Sequence, residues 1–243
     1  MNKMCSWFYL ILILYSCKMP NDVDTVNSTL LVLTFDDGHK SIYELAFPIM
    51  QEYGYSGVDF IPSGWISKGN CMTLDQVRTL ENAGWETGGH TVTHANLTTI
   101  PIDSVRWEIK KNYEQLIEYG LKHRCFALPA GHSNEIITAI IKEYFDIIRT
   151  SQNERYSYPL NLDRLGYYQV QNNDDANSLF MRVAHGINQG ECLVIFGFHQ
   201  FTTGNTDFIT KIKLTIFKEF IVGIKERNLR VVTLSEAIDQ LNR

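Results

Sequence analysis

Two histidines four positions apart, His90 and His94 in the run HTVTH, and two adjacent acids, Asp36 and Asp37 in the run TFDDG, are the groups in this chain best suited to chemistry. Neutral imidazole nitrogens and carboxylate oxygens ligate divalent ions such as zinc, and a catalytic site of that kind takes three protein ligands and leaves a position for water. On a helical turn, residues four apart share one face with Cβ atoms about 5–6 Å apart, so the pair is expected to chelate if the chain turns helically there. The two acids can divide the remaining work, one ligating the ion and the other taking a proton from water, as metal-assisted hydrolysis requires. Each motif also has a plainer reading, HTVTH as a surface turn and Asp before Gly as a turn signal.

The elements that must bring these groups together alternate along the chain. LLVLTF, from Leu30 to Phe35, is continuously apolar, and Ile42, Leu45, Ala46, Ile49, Met50 and Tyr53 follow it at helical spacing. Strand-like runs recur at GVDFI, WETGG, CFALP, FDIIRT, YYQV, CLVIFGF and LRVV, most of them followed by an amphipathic stretch. Buried strands alternating with helices predict an α/β domain over residues 30–243, a closed or nearly closed (β/α) barrel of about seven parallel strands, with a doubly wound open sheet as the alternative. The irregular stretch Ser151 to Gly166 reads as a long loop over one end of the barrel.

In such folds functional groups gather at the carboxyl ends of the strands. Asp36, Asp37 and His39 follow the first run, His90 and His94 follow WETGG, Ala130 and His132 follow CFALP, Arg149 is the last residue but one of FDIIRT, and His199 follows CLVIFGF. One rim would therefore carry carboxylates and imidazoles together. His39 and His132 are candidates for lining the cleft or for an acid role there, and Arg149 is a candidate partner for a cleft carboxylate.

Composition narrows the class. With 22 Lys plus Arg against 27 Asp plus Glu, a net charge of -5 and no basic run, the chain lacks the clustered cations that a nucleic-acid backbone demands. A hydrophobic fraction of 44% with 20% charged residues supports a buried core and excludes a disordered chain. Residues 1–16 hold one charge, Lys3, before the apolar run from Trp7 to Tyr15, about half of the roughly 20 residues a spanning helix needs, and so read as a signal peptide. Ser16 before Cys17 resembles the lipobox of bacterial lipoproteins. That resemblance implies a lipidated Cys17, a polar tether over residues 17–29 and an exported protein anchored to a membrane of a bacterial cell envelope. Cys71, Cys125 and Cys192 are then left as an odd set, expected as free thiols.

TFDDG at 34–38, HTVTH at 90–94, FALPAG at 126–131, the strand ending at His199 and VVTLSEAI at 231–238 resemble, in order and spacing, the polysaccharide deacetylases of the NodB-homology type, carbohydrate esterase family 4, over about residues 30–241. The resemblance implies a distorted (β/α) barrel. It makes Asp37, His90 and His94 the ligands of one divalent ion, Zn2+ first among the first-row metals that suit such a set. It makes Asp36 the general base, His199 the general acid and the backbone N–H of Ala130 an oxyanion donor. The implied reaction is metal-dependent hydrolysis of acetyl groups from an acetylated carbohydrate, N-acetyl ahead of O-acetyl. The alternative is a membrane-anchored, non-catalytic carbohydrate-binding relative. Two departures stand out: Ala127 occupies a position where many members carry an Arg that orients the base, and Ala130 one where many carry an aromatic. What orients Asp36 is left open, and aromatics such as Trp65 either stack on sugar rings or pack the rim.

Overall fold

The computed structural model describes residues 29–151 and 159–242. β1 (Leu30–Asp36) runs through a π-helical turn into α1 (Phe47–Glu52), and β2 (Val58–Ile61) is followed by α2 (Leu74–Asn82). β3 (Glu86–Gly89) leads to α3 (Ile102–Glu118), β4 (Cys125–Ala127) to α4 (Glu135–Lys142), and β5 (Ile147–Arg149) to β6 (Tyr168–Gln169) and α5 (Ala176–Asn188). β7 (Leu193–Phe198) precedes a short pair, β8 (Gln200–Thr202) and β9 (Lys211–Lys213), then α6 (Leu214–Glu226), β10 (Arg230–Val231) and α7 (Leu234–Leu241).

The main sheet is parallel throughout, in the order β5-β4-β3-β2-β1-β7-β6, with β10 pairing the start of β1. All seven residues of β1 are buried, as expected of a strand covered on both faces. Alternation along the strands sorts the side chains into two sets. Leu30, Val32, Val58, Phe60, Ala127 and Leu165 pack together inside the curl. Leu31, Leu33, Phe35 and Ile61 lie on the other face, with the apolar stripes of the helices. The predicted distorted barrel is the observed one.

The edges of the sheet approach each other through a segment the sequence suggested was only loop. Leu165 bridges Arg149 in parallel, and Ile148 N–H donates to Leu162 O at 2.7 Å and Thr150 N–H to Leu165 O at 2.6 Å. The described end of the irregular stretch therefore runs along β5, because Leu165 buries completely in the inner cluster. Cys71 and Cys125 carry free thiols. Among the described residues no helix is long and apolar enough to cross a membrane. Cys17 and the expected signal peptide lie outside the described residues.

Candidate metal and catalytic centre

Asp36 closes β1, and the next two residues, Asp37 and Gly38, take left-handed φ values of 72° and 61°. That turn sends consecutive carboxylates in different directions. Asp37 Oδ1 meets His90 Nε2 at 3.5 Å and His94 Nε2 at 3.1 Å. The oxygen is buried without a hydrogen bond, and the three ligand atoms lie within 4.8 Å of one another. An orphaned carboxylate oxygen facing two imidazole nitrogens fits a divalent ion with a position left for water. Burial pushes the Asp37 carboxyl up, but the imidazoles of His39, His90 and His94 reverse this and hold it well below the usual carboxylate range.

The expected helical turn at HTVTH is absent. Thr91 and His94 both adopt left-handed φ, 64° and 62°, so the two rings converge across an irregular bend, with centroids 4.9 Å apart. Such values are uncommon for residues other than glycine and persist when surroundings over-determine them. Here α3 does so from within its apolar face. Glu108 Oε2 accepts from Val92 N–H at 2.8 Å and Thr93 N–H at 2.9 Å, and Asn112 Nδ2 donates to Thr91 O at 2.6 Å. Neither residue belongs to a recognisable motif, yet both carry a signal legible in the sequence, as two polar side chains sharing the buried stripe of α3 with Val105, Ile109 and Leu116. His90 Nδ1–H donates to Ala127 O at 2.7 Å, which leaves Nε2 as the nitrogen available to a ligand.

Asp36 turns inward, 3% exposed. Arg149, at the end of β5, places Nη2 2.6 Å from Asp36 Oδ2, so the candidate partner of a cleft carboxylate meets the candidate base. The guanidinium is held between the rings of Tyr167, at 3.9 Å, and Phe60, at 4.9 Å. Tyr167 in turn lies flat against β7, where a Cβ on Gly197 would come within 2.3 Å of its ring. Arg149 is also the in-register neighbour of Ala127, whose methyl group leaves room inside the barrel for the guanidinium. Asp36 Oδ1 stays buried without a hydrogen-bond partner.

His199 Nε2 lies 3.7 Å from Asp36 Oδ2, and burial lowers its pKa against the opposing pull of Asp36 and Asp37. His39 joins the cluster as well, with Nε2 3.4 Å from Asp37 Oδ2 and 3.0 Å from Gln200 Nε2. Ala130 sits exposed on the turn after β4 with φ 57°. His132 is exposed beside it, in a separate cavity with Ser133, Asn134 and Thr138, away from the metal cluster. The fold thus gathers Asp36, Asp37, His39, His90, His94, Arg149 and His199, and leaves His132 out.

A sequence profile described as polysaccharide deacetylase matches residues 24–144. The Bacillus subtilis protein YxkH, which carries a polysaccharide deacetylase name, is 24% identical over 108 residues, 43% of this chain. The match spans only 38% of that curated relative's own length. Among solved structures, the Xyl-CE4 domain of a multidomain xylanase from the hindgut metagenome of Trinervitermes trinervoides superposes with a TM-score of 0.62 at 20% identity, covering 88% of this chain and 91% of that one. A family 4 pseudoenzyme from Bacillus anthracis superposes with a TM-score of 0.63 at 18% identity over 88% of this chain and 66% of its own. At such identities the likeness is one of fold, and an enzyme domain and a pseudoenzyme share it equally.

Proposed function

The chain belongs to the polysaccharide deacetylase family, and from that premise we propose that it is a metal-dependent hydrolase removing acetyl groups from a carbohydrate, N-acetyl in preference to O-acetyl. The observation that carries this reading is the pairing of an open three-ligand cluster with a separately held carboxylate. Asp37 faces His90 and His94, while Asp36, one residue earlier, has one oxygen held by Arg149 and the other unbonded. A binding module needs no such division of labour.

Asp37, His90 and His94 would hold the ion, most suitably zinc. Bound there, it supplies a Lewis acid that polarises the acetyl carbonyl and eases deprotonation of a water. Asp36 is the general base: Arg149 holds Oδ2, so Oδ1 is the atom that takes the proton. The charge developing on the carbonyl oxygen meets the backbone N–H of Ala130, whose donor role does not depend on its side chain. His199 passes a proton to the departing sugar nitrogen, without which an amide leaves as a poor anion. We further infer that the mature chain begins at a lipidated Cys17 on a bacterial membrane, an assignment that the intact mass of the exported protein tests directly.

The deciding experiment measures acetate release from chitin oligosaccharides, peptidoglycan fragments and acetylated xylan before chelation, after it and after zinc is restored. The expected outcome is release that chelation abolishes and zinc recovers. Asp36→Asn should lower it by about 10²–10⁴-fold with zinc still bound at one ion per chain. No release from any substrate, unchanged by Asp36→Asn, would support the non-catalytic carbohydrate-binding alternative.

A further inference from the structure

The three ligand side chains are not equally enclosed. His90 is 3% exposed, Asp37 14% and His94 32%, so His94 is the ligand most open to solvent. His90 is fixed through its second nitrogen by Ala127 O. His94 is held differently, on the face of its ring: the indole of Trp65 stacks on it with centroids 5.2 Å apart and planes 28° from parallel, and the ring of His90 lies 4.9 Å away at 68° to it. We propose that Trp65 is a positioning residue of the metal centre, whose indole locks the imidazole of His94 in its ligating rotamer.

Several independent contacts bring Trp65 to that place. Trp65 ends the short turn Ser63–Trp65 that follows β2, and this turn is laced to the histidine bend by the backbone. Ser63 N–H donates to Thr91 O at 3.1 Å and Gly64 N–H to Val92 O at 2.9 Å. Gly64 permits that approach, because a Cβ there would sit 2.6 Å from Val92 O. The side chain of Asn112 ties the two segments together from below, donating to Ser63 Oγ at 2.9 Å as well as to Thr91 O. The bend and the turn therefore form one unit, and the stacked pair is its half-buried end. A half-open imidazole on a left-handed residue has several rotamers available, and a face contact restricts it without consuming either ring nitrogen. The sugar-stacking candidate of the sequence is thus engaged with a metal ligand.

This inference rests on the metal reading above, and the experiment separates the two. Zinc affinity of the metal-free wild-type protein, read by competition with a chromophoric chelator, tests the site itself. The same titration on Trp65→Leu, which keeps apolar bulk without a stacking face, tests the inference. Trp65→Leu should bind zinc about three- to tenfold more weakly, the scale of one aromatic stack, at an unchanged melting temperature of the metal-free form. Trp65→Phe should stay within about twofold of wild type. A second readout needs no activity: zinc should change the tryptophan emission of the wild-type chain, and that change should disappear in Trp65→Phe and in His94→Ala. Wild-type affinity in Trp65→Leu, or an emission change that survives in Trp65→Phe, would overturn the proposal. A wild-type chain that binds no zinc would overturn the metal reading and this proposal with it.

Discussion

Two buried aspartates on neighbouring strands show how much the two faces of this sheet differ. Asp36 on β1 pairs in register with Phe60, and Asp59 on β2 pairs with Phe35. In a parallel sheet in-register residues share a face, and a shift of one residue moves a side chain to the opposite face. Asp36 therefore points into the barrel with Phe60, where Arg149 meets it at 2.6 Å. Asp59 points outward with Phe35 toward the helical layer, where both its oxygens are buried without a hydrogen bond. The two are almost equally enclosed, 3% and 1% exposed. Inside the barrel a carboxylate meets a counter-charge. Outside it, burial and the nearby charges of Asp36 and Asp37 push the Asp59 carboxyl well above the usual range. Burial alone therefore does not decide the state of a carboxylate; the partner across the sheet does.

The largest test of that contrast is Arg149→Met. Removing one member of a buried ion pair leaves the other charge uncompensated, at a cost of about 3–5 kcal/mol, measurable by urea unfolding, and acetate release should fall with it. Ala127→Arg added to that variant restores a guanidinium from the adjacent in-register position and should recover part of both losses. Unfolding of Arg149→Met at the wild-type midpoint would erase the distinction between the two acids.

The opposite sign is expected at Asp59. Asp59→Leu removes an unsatisfied buried polar group and should stabilise the fold by about 1–3 kcal/mol at neutral pH. The pH dependence follows from the raised pKa. Folded Asp59 keeps its proton at pH values where the unfolded chain has lost it, so its contribution is intact below about pH 4. Above that it falls by up to about 1.4 kcal/mol per pH unit until the folded carboxyl also ionises. The titratable neighbours that act on Asp59 are Asp36 and Asp37, and Asp59 in turn raises Cys71. The stability gap between wild type and Asp59→Asn should therefore widen as pH rises from 4. A gap constant with pH would mean that Asp59 is ionised in the fold. The smallest effect is expected from Tyr167→Leu, which removes one ring from the Arg149 cage and should cost about 0.5–2 kcal/mol, with Asp36 still paired.

By itself the sequence determined the strand and helix alternation, the buried parallel sheet and the groups that collect at its carboxyl ends. These depend on local patterns: continuous apolar runs, helical spacing, and polar residues directly after strands. It also brought Asp36, Asp37, His90, His94 and His199 into view, because motif and strand end coincide there. Only the tertiary structure decided what supports them. Arg149 reaches Asp36 across 113 positions of chain, Glu108 and Asn112 reach back from α3 to hold an irregular bend, and Trp65 meets His94 through a turn laced to that bend. The histidine pair converges through left-handed residues instead of the helical turn its spacing suggested. Such contacts depend on strand order, register and backbone conformations that other parts of the fold stabilise, and none of these is written in local periodicity. Which face of the sheet each acid occupies, and hence which one finds a counter-charge, was settled when β1 and β2 paired.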